Sequence, residues 1–233
     1  MSSEGIEVRP LDTTEQIFAA TRVLAAVWGG EDGGMPPNLL RALAHSGNYV
    51  VGLFDGERMV GVSAAFFGEP AARTMHSHVT GILPEYRTRG LGRLLKEHQR
   101  AWAFARSVGH ITWTFDPLIA RNAYFNLRVL GAQVGDYLVD HYGPMADAIN
   151  DGDETDRLFV TWTLAAPRRD DPDDVAATVR IPHDIEAMRA ANPAEALRWR
   201  HDVRAQFLDL YARGLVVGGF RESAGYLFVR PAG

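Results

Sequence analysis

Apolar residues recur along this chain in two rhythms, a period near two that marks strands and a period near 3.6 that marks helices. Ile6 to Arg9 reads as a short strand. Ile17, Ala20, Val23, Leu24 and Val27 then share one helical face that ends near Trp28, with Asp12, Thr13 or Thr14 as its cap. GGEDGGMPP is a connection, and Asn38 opens a short helix through Leu43. Tyr49 to Phe54 and Met59 to Phe67 flank Asp55-Gly56-Glu57-Arg58, and Asp-Gly between apolar runs predicts a hairpin. A turn over Gly68 to Ala72 leads into another strand ending near Leu83, so three successive antiparallel strands are expected.

Helical spacing returns with Leu91, Leu94, Leu95, Trp102, Ala105 and Val108, the inward row of a helix closed by Gly109. His110 to Phe115 is the next strand, parallel to the one before the helix. Asp116-Pro117 breaks it, and Arg121 to Leu130 forms a short helix ended by Gly131. Val134 to His141 and Leu158 to Leu164 are two strands joined by the loop GPMADAINDGDETDR. The composition shifts at PRRDDPDD, which sets an expected boundary between a domain over residues 1–166 and a C-terminal part over residues 167–233. That part reads as a strand (Ala177 to Ile181), a short helix (Ile185 to Ala190), a longer helix from Pro193 to Arg213 and a hairpin (Leu215 to Phe220, Tyr226 to Val229). Trp199, Val203, Phe207, Leu210 and Tyr211 make the buried stripe of the longer helix. The whole is a mixed α/β pattern with a small α+β C-terminal subdomain.

Apolar residues at 46% and charged residues at 23% are enough to fill a core. No run approaches the roughly 20 apolar residues that span a bilayer, and MSSEGIEVRP lacks a basic start followed by an apolar stretch, so the expectation is a cytoplasmic protein without membrane contact. The absence of cysteine excludes disulfides, thiolate metal sites and a cysteine nucleophile. A net charge of −5 argues against nucleic acid as a partner, although Arg87, Arg89, Arg93 and Lys96 form one positive patch.

That patch lies within Met75 to Ser107, where a strand turns through Pro84 to Arg89, passes Gly90 and Gly92, and becomes a helix. A helix start leaves N–H groups without intrahelical partners and carries the positive end of the dipole, so it can cradle a pyrophosphate. A β-carbon at Gly90 or Gly92 would hold phosphates away from those amides. A plain solvated helix face is the alternative use of the charges. Upstream, His76 and His78 alternate on the strand and project from one face. An amine of pKa near 10 must lose a proton before it can attack, and histidine near pKa 6.5 is suited to take it. The alternatives are buried, hydrogen-bonded histidines or a metal pair, the latter lacking a third ligand at a fitting spacing, and no metal is expected.

Strand, glycine loop, helix, returning strand and short helix together resemble the GNAT superfamily of acyl-CoA-dependent N-acyltransferases over roughly residues 5 to 165. Ile82-Leu83-Pro84-Glu85 is similar to the family's V-x-P-E-like strand end, Arg87-Thr88-Arg89-Gly90-Leu91-Gly92 to its pyrophosphate loop, and Leu127 to Ala132 to its Y-E-K-L-G-F-like helix end. The resemblance implies a splayed central sheet, and acetyl-CoA or another acyl-CoA as co-substrate. It also implies cofactor contacts from the backbone of Gly81, Ile82 and Leu83, from the loop through Gly92, and from Asn122, although Asn122 stands two positions later than the commonest spacing. One amide of Gly81 to Leu83 would face the thioester oxygen. The two histidines resemble the H-x-H of arylalkylamine N-acetyltransferases, which makes His78 and His76 the expected base. Leu127 stands where most members carry a tyrosine acid, leaving Tyr124, Tyr142 or water to protonate the departing thiolate.

TWTFDPL, NAYFNL and YGPMADAIN, with the C-terminal extension, resemble a bacterial branch of that superfamily linked to N-acyl amino acid metabolism. The function implied is transfer of an acetyl or other short acyl group to the primary amine of a small molecule. A non-catalytic acyl-CoA-binding module and a protein lysine acetyltransferase remain open, as does a homodimer. Arg157 could clamp a carboxylate or form a surface ion pair.

Overall fold

The computed structural model describes residues 5–31, 33–87, 89–143, 153–168 and 170–231. Thr88 and the stretch 144–152 of the loop between the two later strands lie outside the described residues. The chain divides into two compact units, one up to Ile111 and the other from Thr112 onward.

In the first unit β1 (Ile6–Pro10), β2 (Tyr49–Asp55), β3 (Arg58–Phe67) and β4 (Thr74–Ile82) follow one another in space, each antiparallel to the next. Three helices accompany them: α1 (Thr14–Trp28), α2 (Pro37–His45) and α3 (Leu91–Phe104). Thr13 caps α1 in a reciprocal box with Gln16, a device worth about 1 kcal/mol. Ile17, Ala20, Val23 and Leu24 of α1 join Leu11, Met35, Leu40, Val50 and Val62 in one apolar core.

α3 buries a different row from the expected one. Leu91, Leu95, Lys96, Gln99 and Ala103 face inward, whereas Leu94 and Trp102 are half-buried and Ala105 is exposed. The sheet face offers polar atoms: Lys96 Nζ donates to Ser77 Oγ at 2.8 Å, and the hydroxyls of Ser63 and Thr80 meet at 2.9 Å. Two polar side chains can therefore be buried without losing all their hydrogen bonds. The helix ends at Phe104, and Ser107 turns the chain with φ 61°.

The second unit holds most of β5 (His110–Phe115), with β6 (Gln133–Leu138) and β7 (Arg157–Thr163), in the order β5-β7-β6. After β5, α4 (Ala120–Ala123) runs on as a π-helix over Tyr124–Leu130, ended by Gly131 at φ 77°. The expected helix is thus present but more loosely wound through its second half. Beyond it come β8 (Ala177–Val179), α5 (Ile185–Ala191), α6 (Pro193–Ala212), β9 (Val216–Arg221) and β10 (Gly225–Val229), with the strands in the antiparallel order β8-β10-β9.

Ala196, Arg200, Val203, Phe207 and Leu210 form the buried side of α6, so Arg200 is enclosed where Trp199 was expected. Arg200 gives Nη1 to Asp116 Oδ1 and Nη2 to Asp153 Oδ2, both at 2.8 Å. Arg189 on α5 bridges the same two aspartates, and Arg204 binds Asp156 and Glu154. Phe207 packs edge-on to Tyr226 and Phe228 beside this network. Among the described residues, no helix is long and apolar enough to cross a membrane.

Candidate functional site

β4 does not keep a simple alternation. Ala64 pairs with Val79 and Ala65 with Ser77, so His78 is the extra residue of a β-bulge. The bulge resets the faces: Ser77 turns to Lys96 of α3, while Val79 packs against the core that α1 helps to build. His76 and His78 both rest against Phe66, at ring distances of 5.3 and 5.8 Å, and their own rings are 6.2 Å apart. The two histidines therefore share a space, as their spacing predicts. His78 keeps an exposed edge, yet the chain around it removes enough water to lower its pKa below the usual histidine value. It is accordingly a neutral acceptor at neutral pH.

The end of β4 is held close to its neighbours. Leu83 donates its amide to Val60 O at 2.9 Å, and Gly61 pairs with Ile82. By the alternation of an antiparallel ladder, the Ile82 amide then points away from β3. Gly81 has a packing reason to be glycine: a β-carbon there would lie 2.4 Å from the Trp28 ring. Tyr86 donates to Asp55 Oδ2 at 2.8 Å, fixing the turn Pro84–Tyr86 to the β2–β3 hairpin, and Arg89 stacks 4.7 Å above the Tyr86 ring. Arg87 directs Nε to Ile82 O at 3.3 Å.

Gly90 precedes α3 in the left-handed region, with φ 75° and ψ 4°, and no side chain caps the helix. The amides of Leu91 and Gly92 have no carbonyl one turn earlier within the helix to receive them. A β-carbon at Gly92 would meet no atom of the described residues within 4 Å, so the flank of the first turn is open there. The first turn carries no acidic residue. These features suit a bound pyrophosphate: amides, dipole and the arginines on either side of residue 88 all favour an anion. Thr88 itself lies outside the described residues.

In the second unit, Asn122 is half-buried on α4, and Leu127 is buried within the π-helix. Tyr124 is exposed, while Tyr142 is exposed with its hydroxyl 2.9 Å from Thr114 Oγ1. Trp113, Phe115 and Tyr137 are core residues. Arg157 is buried, not a surface ion-pair former: it donates to Asp156 O at 2.9 Å and lies over the Tyr142 ring. Among the described residues, no group of three metal-ligating side chains could hold an ion. Lys96, expected in the positive patch, is instead buried against Ser77, and sequence reasoning missed Gln99 and the bulge, since nothing in a residue's type announces an inserted strand position.

The model of the acetyltransferase (GNAT) family matches residues 17–131. The fold is similar to that of the ribosomal-protein-S18-alanine N-acetyltransferase from Escherichia coli, at 15% identity and TM-score 0.56, covering 70% of this chain and 96% of that one. It is similar to yncA of Salmonella typhimurium, solved with its cofactor acetyl-CoA, at 17% identity and TM-score 0.54, covering 70% and 98%. It is also similar to aminoglycoside 6'-acetyltransferase type Ii, at 16% identity and TM-score 0.54, covering 70% and 99%. No curated protein matches the sequence. With its open helix start after Gly90 and the strand leading into it, this chain carries a GNAT acetyltransferase domain over residues 17–131.

Proposed function

We propose that the protein is an N-acyltransferase moving an acetyl or other short acyl group from acyl-CoA to a primary amine of a small molecule, amino acids included, by direct attack in a ternary complex. The observation that carries this reading is the succession, within one segment, of the exposed His78 on its bulge and the uncapped start of α3. Residues 1–166 supply the acyl-CoA-binding part, with residues 167–233 as its C-terminal extension.

The chemistry balances simply. The acceptor nitrogen gives a proton to His78, directly or through water with His76 nearby, and attacks the thioester carbon. Its oxygen takes a hydrogen bond from the Ile82 amide while negative charge develops there, an interaction whose loss typically costs about 10²-fold or more in rate. The carbon–sulfur bond breaks, the nitrogen gives up its remaining extra proton to water, and the thiolate leaves and takes a proton from water. Because a free thiol has pKa near 8.5, roughly 2 kcal/mol favours that protonation at pH 7 without a dedicated acid at Leu127.

The test is thiol release from acetyl-CoA and succinyl-CoA against amino acids, polyamines, arylalkylamines and an alanine-ended peptide. Release with a small amine is the expected result. Release with the peptide alone would transfer the assignment to protein amines. Stabilisation by CoA without release from any acceptor would overturn catalysis in favour of acyl-CoA binding.

A further inference from the structure

The reading of His78 as base leaves open what holds His78 in place. A bulge is the least constrained part of a strand, because its extra residue makes no ladder hydrogen bonds to the neighbouring strand. A base must nevertheless lie within about 3 Å of the proton it takes, and small misplacements cost rate steeply.

Two side-chain bonds bracket the bulge. On one side Ser63 and Thr80 join β3 to β4 through their hydroxyls at 2.9 Å. On the other, Ser77, the residue immediately before His78, accepts from Lys96 Nζ at 2.8 Å. Lys96 in turn reaches Gln99 Oε1 one turn along α3 at 3.3 Å, and all three side chains are buried. An amine enclosed this way must be desolvated, which disfavours its charged form, so its presence there needs a reason beyond packing. Lys96 also stands on the helix whose first turn is the phosphate cradle. The bond to Ser77 thus links the strand that carries the base to the helix that would hold the acyl donor.

We infer that Lys96 is a positioning residue for acyl transfer, holding Ser77 and through it the bulge that presents His78 to the acceptor amine. This rests on the assignment of His78 as base. Lys96 touches no reacting atom in this role.

The experiment is a double-mutant cycle in the full chain with acetyl-CoA and whichever amine of the panel above gives the fastest thiol release. Lys96→Met should lower kcat about tenfold with the KM for acetyl-CoA unchanged within twofold, and Ser77→Ala should do the same. The pair Lys96→Met/Ser77→Ala removes donor and acceptor together, so it should keep the thermal midpoint near wild type while kcat stays low. In a His78→Ala background, Lys96→Met should cost nothing further. A pair variant with wild-type kcat overturns the inference. So does an equal loss from Lys96→Met with and without His78, since the lysine would then act independently of the base. If His78→Ala alone leaves kcat intact, it is the assignment of the base that fails.

Discussion

Arg200 and Asp116 meet as a two-pronged ion pair inside the second unit, Nη1 on Oδ1 at 2.8 Å and Nη2 on Oδ2 at 2.9 Å, with the arginine wholly enclosed. Removing one partner of such a pair leaves a buried charge unanswered and costs on the order of 3–5 kcal/mol. Arg200→Met should therefore lower the urea midpoint substantially, although methionine fills much of the volume. An unchanged midpoint would show that Arg189 alone satisfies both aspartates.

The same network sets an acid limit. Burial by itself would raise the Asp116 pKa, but the guanidinium groups of Arg200 and Arg189 hold it far below the usual carboxylate range. A carboxylate depressed in the folded state stabilises fully above its unfolded value near 3.9 and loses that contribution as pH falls further. Stability measured from pH 6 downward should decline below about pH 4, and Asp116→Asn should flatten that decline. Equal acid sensitivity in both proteins would refute the assignment.

At the helix start, two glycines should separate folding from binding. Gly90 has φ 75°, where a side chain costs about 1–2 kcal/mol, so Gly90→Ala should destabilise. Gly92 lies inside α3 with open space around it, so Gly92→Ala should leave stability equal or improve it by up to about 1 kcal/mol. The same alanine should weaken acetyl-CoA binding by calorimetry. Undiminished affinity would remove Gly92 from the phosphate site.

His78→Ala should reduce kcat about 10²-fold or more, with acetyl-CoA affinity little changed. Because burial lowers the His78 pKa, the wild-type kcat should hold down to below about pH 6.5. In the variant, kcat should instead climb through the alkaline range. A variant that keeps both turnover and profile would end the histidine's claim.

Lys96 gives a signature of the same sign as Asp116, rising with pH, but in the neutral to alkaline range. Burial pushes its pKa down to about 7, whereas the unfolded chain holds that proton to about 10.4. Between these values the unfolded state binds more protons, so folding stability should rise with pH by up to about 1.4 kcal/mol per unit. Lys96→Met should lack the rise, and urea titrations at pH 7, 8 and 9 would decide it.

Periodicity carried most of the element order. Thr13 caps α1, the Asp55-Gly56 turn joins β2 to β3, and the C-terminal helices and hairpin fall within a few residues of their expected limits. Legibility failed where polar residues go inside. Lys96, Gln99 and Arg200 fall outside the expected buried rows because an unpaired charge or amide is costly to bury, and the partners Ser77, Asp116 and Asp153 are distant in sequence. The π-helix escaped notice for a related reason, since Tyr124 to Leu130 has ordinary helical composition. At the site, the histidines' shared space was legible from their spacing, but the bulge that turns Ser77 and Val79 to opposite faces was not.

The Arg200–Asp116 contact spans 84 residues of chain. At synthesis rates of about 5–20 residues per second, Asp116 leaves the ribosome roughly 4 to 17 seconds before its arginine. Until Arg189 is made, 73 residues after Asp116, neither arginine exists to meet the carboxylate. Closure of this network waits for α6, so a ribosomal pause between Asp153 and Arg200 would lengthen the period in which Tyr137, which later packs against Phe207, stands open.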